Sequence, residues 1–197
     1  MVVNESGIVC AAILYDDGMN ANAVLEDFAR SLRRQGVRVK GLVQRRAAAD
    51  RPCTGDVLLY DLDGGDYRIS QNLGEHSTCC NLDSTGLAEA SQALRRALDD
   101  PPDLLVVNKF GKAEAGGDGL RAELGEALAA GIPVVISVHR KHLGYWNAFI
   151  GEFSCLLPAD MDALRQWWGA GYPFDEGRLS QDGDWGPYSR ISNDGVG

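Results

Sequence analysis

The sequence holds no apolar run approaching the roughly 18 residues that carry a helix across a membrane, so no helical span is expected anywhere along it. Its first residues, Met1-Val2-Val3-Asn4-Glu5, lack the basic stretch and small-residue cleavage site of an export signal, and the expectation is a cytoplasmic protein. None of the five cysteines (Cys10, Cys53, Cys79, Cys80 and Cys155) belongs to a Cys-x-x-Cys pair, and neither His nor Cys recurs at zinc-ligand spacing. Reduced, ordinarily packed thiols follow, and no metal site is assigned. The vicinal pair Cys79-Cys80 leaves a soft-metal or redox role open. Positive charge is also scarce, with 19 basic side chains against 28 acidic ones and a net charge of −9. Such a surface disfavours non-specific binding to nucleic acid or anionic membrane, though it leaves room for a local basic site. There is no internal repeat and no heptad pattern.

What is present is enough apolar sequence for one core, 45% of 197 residues. Strand-like and helix-like segments alternate, which favours a parallel sheet covered on both faces. Continuous apolar runs at 8–14, 103–108 and 132–138 read as central buried strands, with 37–43 as another. Helical spacing marks 22–35, where Val24, Phe28 and Leu32 share a face, and 84–99, led by Leu87, Ala90, Leu94 and Leu98. Asn20 or Asn22 can cap the first of these, and Gly36 can end it. Further helices are expected over 117–130, 144–151 and 159–168, with a strand near 154–157. Two short strands, 56–60 and 66–70, flank Asp63-Gly64-Gly65 and predict a hairpin. Residues 1–171 are expected to form one domain. Residues 172–197, rich in Gly, Asp and Ser, read as a surface tail, with Trp185, Pro187 and Tyr188 able to dock it.

In an open α/β sheet, ligands bind beyond the carboxyl ends of the strands. The first such turn is Tyr15-Asp16-Asp17-Gly18-Met19-Asn20-Ala21-Asn22, between a buried strand and an amphipathic helix. A phosphate-binding P-loop at that position needs G-x-x-x-x-G-K-[ST]. Its backbone N–H groups surround the phosphates, its Lys meets their charge and its hydroxyl holds Mg²⁺. Only Gly18 is present, with no Lys or hydroxyl after it, and two aspartates precede it. An ordinary turn and an altered binding turn, using Asp17, Gly18 and Asn20, both remain open.

The second informative stretch is DLLVVNKFGKAE at 103–114. Together with the altered first turn, RRQGVRVKGLVQ, the hairpin and IPVVISVHRK, it makes the chain resemble a small nucleoside-triphosphatase family of the P-loop class. More closely, it resembles a bacterial domain-of-unknown-function family related to those enzymes. That family carries an NKFGKxE segment, a Cys-x-Leu-Asp segment and degenerate Walker motifs, and is often encoded near molybdate-transport genes. Asn108 through Glu114 match the first segment and Cys80-Asn81-Leu82-Asp83 the second, within a resemblance spanning about residues 8–168. It implies a three-layer α/β domain like those of P-loop NTPases, with a mostly parallel sheet, helices on both faces and an inserted β-hairpin. In the hydrolysing relatives the strand before this segment ends in Asp-Glu, which help hold Mg²⁺ and orient the attacking water. Asn108 and Lys109 stand there instead. Asn is a poor substitute for a charged Mg²⁺ ligand, and Lys109 reverses the charge. Asn-Lys also resembles the guanine-reading N-K-x-D of GTPases, but Gly111 occupies the acid's position.

Lys109, Lys112, Arg121, His139 and Arg140 all belong near one sheet edge and are candidates for binding an anion. Asn108 and Glu114 join them, Glu114 orienting a lysine, and Ser77, Thr78 and Cys80 add hydroxyl and thiol donors. The alternative is that these bases pair with Glu114, Asp118, Glu123 and Glu126 on the surface, and for Lys141 and His142 that alternative is preferred. Trp146, Trp167 and Trp168 read as core or interface. The favoured reading is a non-hydrolysing binder of a small oxyanion or phosphate ligand, with molybdate or tungstate implied by the resemblance. The residues name no cofactor. An atypical, nucleotide-dependent NTPase and a ligand-free structural or regulatory partner remain alternatives. The apolar helix at 159–168 is a candidate homo-oligomer surface.

Overall fold

The computed structural model describes residues 10–46, 57–71, 81–151 and 153–169. A seven-stranded sheet runs through the middle of the molecule. β1 (Cys10–Tyr15), β2 (Val39–Arg46), β7 (Leu104–Phe110), β8 (Val134–His139) and β9 (Ser154–Pro158) form its parallel part, in the spatial order β2-β7-β8-β1-β9. β3 (Val57–Asp61) and β4 (Asp66–Arg68) extend the β2 edge antiparallel, and they are the expected hairpin. β5 (Ser70–Gln71) and β6 (Asn81–Leu82) form a separate two-stranded pair that the sequence pattern does not show.

Strand alternation divides the core into two layers. Cys10, Ala12 and Leu14 of β1 and Leu105 and Val107 of β7 face one cluster. There they meet Ala90 and Leu94 of α2 (Ser84–Asp99), Leu124 of α4 (Arg121–Ala129) and Trp146 of α5 (Leu143–Ile150). Ala11, Ile13, Leu104 and Val106 face the other cluster, against Leu25 and Phe28 of α1 (Ala21–Arg34) and Leu164 and Trp167 of α6 (Met161–Gly169). Both faces of the parallel strands are thus covered, which is why those strands read as continuous apolar runs. Gly41 of β2 has φ +125°, and a Cβ there would lie 2.0 Å from the Val106 carbonyl oxygen, so close strand approach requires glycine.

Two boundaries differ from expectation at the functional edge. β7 does not stop at Asn108: it runs on through Lys109 to Phe110, which pairs with Val138 across a register break after Val107. Lys109 is therefore part of a strand rather than just beyond one. The helix expected over 117–130 starts later, as α4 at Arg121, because Gly117 and Gly119 adopt φ of +97° and +68° just before it, and a separate short helix, α3 (Lys112–Ala115), precedes them. The tail at 172–197 and the residues Ser77, Thr78, Cys79, Cys80 and Cys53 lie outside the described residues.

Candidate functional site

The tips of β1, β8 and β7 are neighbours at the carboxyl edge, with Tyr15 in register with His139 and Phe110 with Val138. Three connections meet there: the turn from Asp16 to Asn20, the segment from Gly111 to Leu120, and the 3₁₀ turn Arg140–His142.

The first turn closes on itself through two of its backbone donors. The Met19 backbone N–H donates to the Asp16 carbonyl at 3.1 Å, and the Asp16 N–H points at the Met19 sulfur at 3.4 Å. Asn20 caps α1, its side chain accepting from Ala23 N–H at 3.2 Å. Gly18 supplies the positive φ, +87°, that closes the turn. A phosphate cradle needs such N–H groups aimed outward; here several already have acceptors. The turn's two carboxylates are also engaged. Arg140 Nε donates to both oxygens of Asp16, at 3.1 and 3.0 Å. His139 Nδ1 accepts from Lys141 N–H at 3.1 Å, which leaves its proton on Nε2, 3.1 Å from Asp17 Oδ1. The Asp17 side chain is 99% exposed, so that second contact is worth little. Burial, with help from Asp17, pushes the Tyr15 phenol above its ordinary pKa.

Two residues before the end of β7, Asn108 is 1% exposed and hydrogen-bonded at both ends of its amide. Its Nδ2 donates to Asn22 Oδ1 at 2.8 Å, and its Oδ1 accepts from Ser137 Oγ at 3.0 Å. One amide thereby ties the start of α1 to β7 and β8. The Asn108–Lys109 peptide bond is cis. Lys109 is half-buried, and its aliphatic stem runs beside Gly111 next to the Glu114 carboxylate.

Glu114 is a loop staple. One carboxylate oxygen accepts from Gly111 N–H at 2.9 Å and the other from Leu120 N–H at 3.1 Å. Arg121 donates to the Glu114 backbone carbonyl at 3.1 Å and lies over the Phe149 ring, 4.6 Å from its centroid. A Cβ at Gly119 would sit 2.1 Å from a Glu114 carboxylate oxygen, so the glycine makes room for the staple. Asp83 of the Cys-x-Leu-Asp segment is likewise a helix cap, accepting from Thr85 N–H at 2.9 Å.

What remains is a group of bases. Lys112 and Lys141 are exposed, and His142 is half-buried. The His139 and His142 rings lie 6.4 Å apart. Burial lowers the His142 pKa, and the neighbouring bases Lys141, His139 and Lys109 lower it further, against a smaller opposing effect of Glu114. Bases from β7, β8 and the 3₁₀ turn therefore act on one imidazole.

The structure brings Asn108, Lys109, Glu114, Arg121, His139, Arg140, Asp17, Gly18 and Asn20 to this edge, with Lys112 on α3 beyond it. The partners differ from those the sequence suggested. His139 and Arg140 meet Asp17 and Asp16 of the first turn, and Arg121 meets a carbonyl. Glu123 takes Ser91 and Arg95 of α2 instead, at 2.6 and 3.0 Å. Sequence reasoning passed over Asn22 and Ser137 as site residues. The chance of finding them lay in asking which polar residues flank Asn108 on adjacent elements. Ser137 is the one polar residue inside an otherwise apolar strand run, Val134–Val138.

Comparison with known proteins places this architecture. A human cancer-related nucleoside triphosphatase superposes with a TM-score of 0.59 at 13% identity, covering 82% of this chain and 93% of that one. THEP1 from the hyperthermophile Aquifex aeolicus gives 0.59 at 12% identity, covering 83% and 96%. The fold is that of small P-loop nucleoside triphosphatases. In sequence, the chain is 41% identical over 159 residues to Molybdenum import ATP-binding protein ModC 2 of Bradyrhizobium diazoefficiens. The match takes in 80% of this chain but spans only 18% of that relative's length. Residues 10–167 match the family described as Protein of unknown function (DUF2478).

Proposed function

We propose, from the premise that the chain belongs to the DUF2478 family, that it binds a small oxyanion, or the phosphate of a larger ligand, without hydrolysing it. The seat is the carboxyl edge between the tips of β7 and β8, and the setting is the cytoplasm. The observation that carries this reading is that β7, β8 and the 3₁₀ turn bring Lys109, His139, Lys141 and His142 to one edge, with the two imidazole rings 6.4 Å apart, in a protein of net charge −9. Glu114 and Asp17 offset part of the positive charge gathered here, and an anionic ligand would offset more. Lys112 stands on the rim. Each charge-assisted hydrogen bond to a partly buried oxyanion contributes roughly 1.5–3 kcal/mol.

Against hydrolysis stand the first turn, which has neither the Lys nor the hydroxyl of a P-loop, and the replacement of the acids by Asn108 and Lys109. Phosphoryl transfer depends almost wholly on such positioned charges. Molybdate and tungstate lead the candidate ligands, because the 41%-identical relative is named for molybdenum import. The matched stretch is a small part of that longer protein, so a place beside molybdate transport is part of the proposal. Thermal unfolding with millimolar molybdate, tungstate, sulfate, phosphate, ATP or GTP tests it, since a ligand of the native state raises stability. A rise with a tetrahedral oxyanion that Lys109→Ala removes is the expected result. Unfolding that is indifferent to every anion would end the reading, and steady phosphate release from ATP that Lys109→Ala abolishes would replace it with an enzyme.

A further inference from the structure

P-loop hydrolases hold a divalent ion between a hydroxyl residue at the start of the first helix and an acid at a neighbouring strand tip. Setting the motif G-x-x-x-x-G-K-[ST] on this chain so that its last residue is the second residue of α1 puts Asn22 at the hydroxyl. Ala21 then stands at the lysine and Asn20 at the second glycine. Asn108, two residues before the end of β7, stands at the acid. These two side chains touch, with Asn108 Nδ2 2.8 Å from Asn22 Oδ1, while Ser137 Oγ holds the other end of the Asn108 amide at 3.0 Å.

The donor set does not fit Mg²⁺. A hard cation wants carboxylates and water oxygens at close range. Here a neutral amide presents an N–H₂ group toward Asn22, and its one oxygen already accepts a hydroxyl proton. Asn108 is 1% exposed, which leaves little room for the waters that Mg²⁺ keeps. The carboxylates of the first turn, Asp16 and Asp17, face Arg140 and His139. Among the described residues, no three His, Cys, Asp or Glu side chains come together in a group that could hold a metal ion.

We infer that the site takes its oxyanion bare: the Asn22–Asn108–Ser137 chain of hydrogen bonds stands where the fold's divalent ion would, and protein cations alone meet the ligand's charge. This rests on the anion-binding reading above and narrows its ligand class. Free tetrahedral oxyanions fit it, and a metal–nucleotide complex has no metal seat to enter. The amide chain still does the mechanical part of the missing ion's work. It fixes the start of α1 to the strand tips that carry Lys109 and His139.

The test has two independent arms on the full chain. In the first, molybdate and inorganic phosphate binding are measured by equilibrium dialysis in EDTA and in excess Mg²⁺. The expected dissociation constants agree within about twofold. A requirement for Mg²⁺, or a gain of about tenfold or more with it, would overturn the inference. In the second, Mn²⁺ is titrated in and followed by its electron paramagnetic resonance signal. Wild-type protein is expected to leave the free-ion signal unchanged, and Asn108→Asp, which restores the acid, to reduce it stoichiometrically. Stoichiometric uptake by the wild type that Asn108→Ala abolishes would contradict the inference. Should Asn108→Asp fail to fold, the wild-type titration still decides. Should no anion bind in either buffer, the anion-binding reading fails, and the Mn²⁺ arm separately decides whether a divalent ion enters between Asn22 and Asn108.

Discussion

Replacing Glu114 separates a loop staple from a reactive group. Both carboxylate oxygens accept backbone N–H groups, from Gly111 and Leu120, and the side chain is buried. Glu114→Ala strands both donors in a poorly hydrated loop. At roughly 1.5–3 kcal/mol per hydrogen bond to a charged acceptor, the loss is about 3–6 kcal/mol. For a domain of this size that lowers the melting temperature by roughly 10 °C or more. Glu114→Gln keeps one acceptor and turns an N–H₂ group toward the other donor, so about half the loss is expected. Urea unfolding of the two variants measures both values. The Arg121 contact is to the Glu114 carbonyl and survives either change. A loss below about 1 kcal/mol for Glu114→Ala would refute the staple. Gly119→Ala is the independent check: its Cβ enters the space of a Glu114 oxygen at positive φ, so it should destabilise comparably.

Three further outcomes follow. His142 has a lowered pKa in the folded protein, so below about pH 6.5 the unfolded chain takes up a proton that the folded one resists. Stability is therefore lost as pH falls from that value toward the lowered folded pKa, and His142→Gln should flatten this part of a denaturation series at pH 7.5 and 5.5. Oxyanion binding relieves the repulsion and should be accompanied by proton uptake, read by calorimetry in buffers of differing ionisation heat; uptake unchanged in His142→Gln would assign it elsewhere. Burial raises the Cys10 thiol pKa, and that of Cys155 is pushed up to about 12. With Cys53, Cys79 and Cys80 changed to serine, a disulfide reagent at pH 8 should meet about one thiolate in 10⁴ at Cys155 and react only on unfolding; prompt reaction of the native protein would contradict this.

The layer order was legible because a parallel strand buried on both faces has to be apolar throughout, as Val134–Val138 nearly is. The helix at 84–99 was legible to the residue, because Asp83 caps it and Pro101-Pro102 follow it. The short helix α3 and the late start of α4 were not. Helical spacing alone does not place the start of α4 after Gly119; the positive φ of Gly117 and Gly119, with Glu114 reaching back to Gly111 and forward to Leu120, holds the loop before it. The charged edge was half legible. Lys109, His139 and Arg140 announce themselves by following apolar runs. That Arg140 and His139 turn to Asp16 and Asp17 depends on β8 lying against β1, 120 residues apart in sequence by rough count. The link from Asn22 to Asn108 joins two neutral amides, a residue type with no periodic or motif signal, so only the assembled sheet displays it.

We propose that charge reversal at the strand tips makes an anion seat without catalysis. Calorimetric titration of the wild type and Lys109→Ala with molybdate, alongside phosphate release from ATP, tests it most directly. Saturable molybdate binding that Lys109→Ala weakens about tenfold or more, with no ATP turnover by either protein, is the predicted result. Molybdate binding indifferent to Lys109→Ala, or ATP turnover that depends on Lys109, would contradict it.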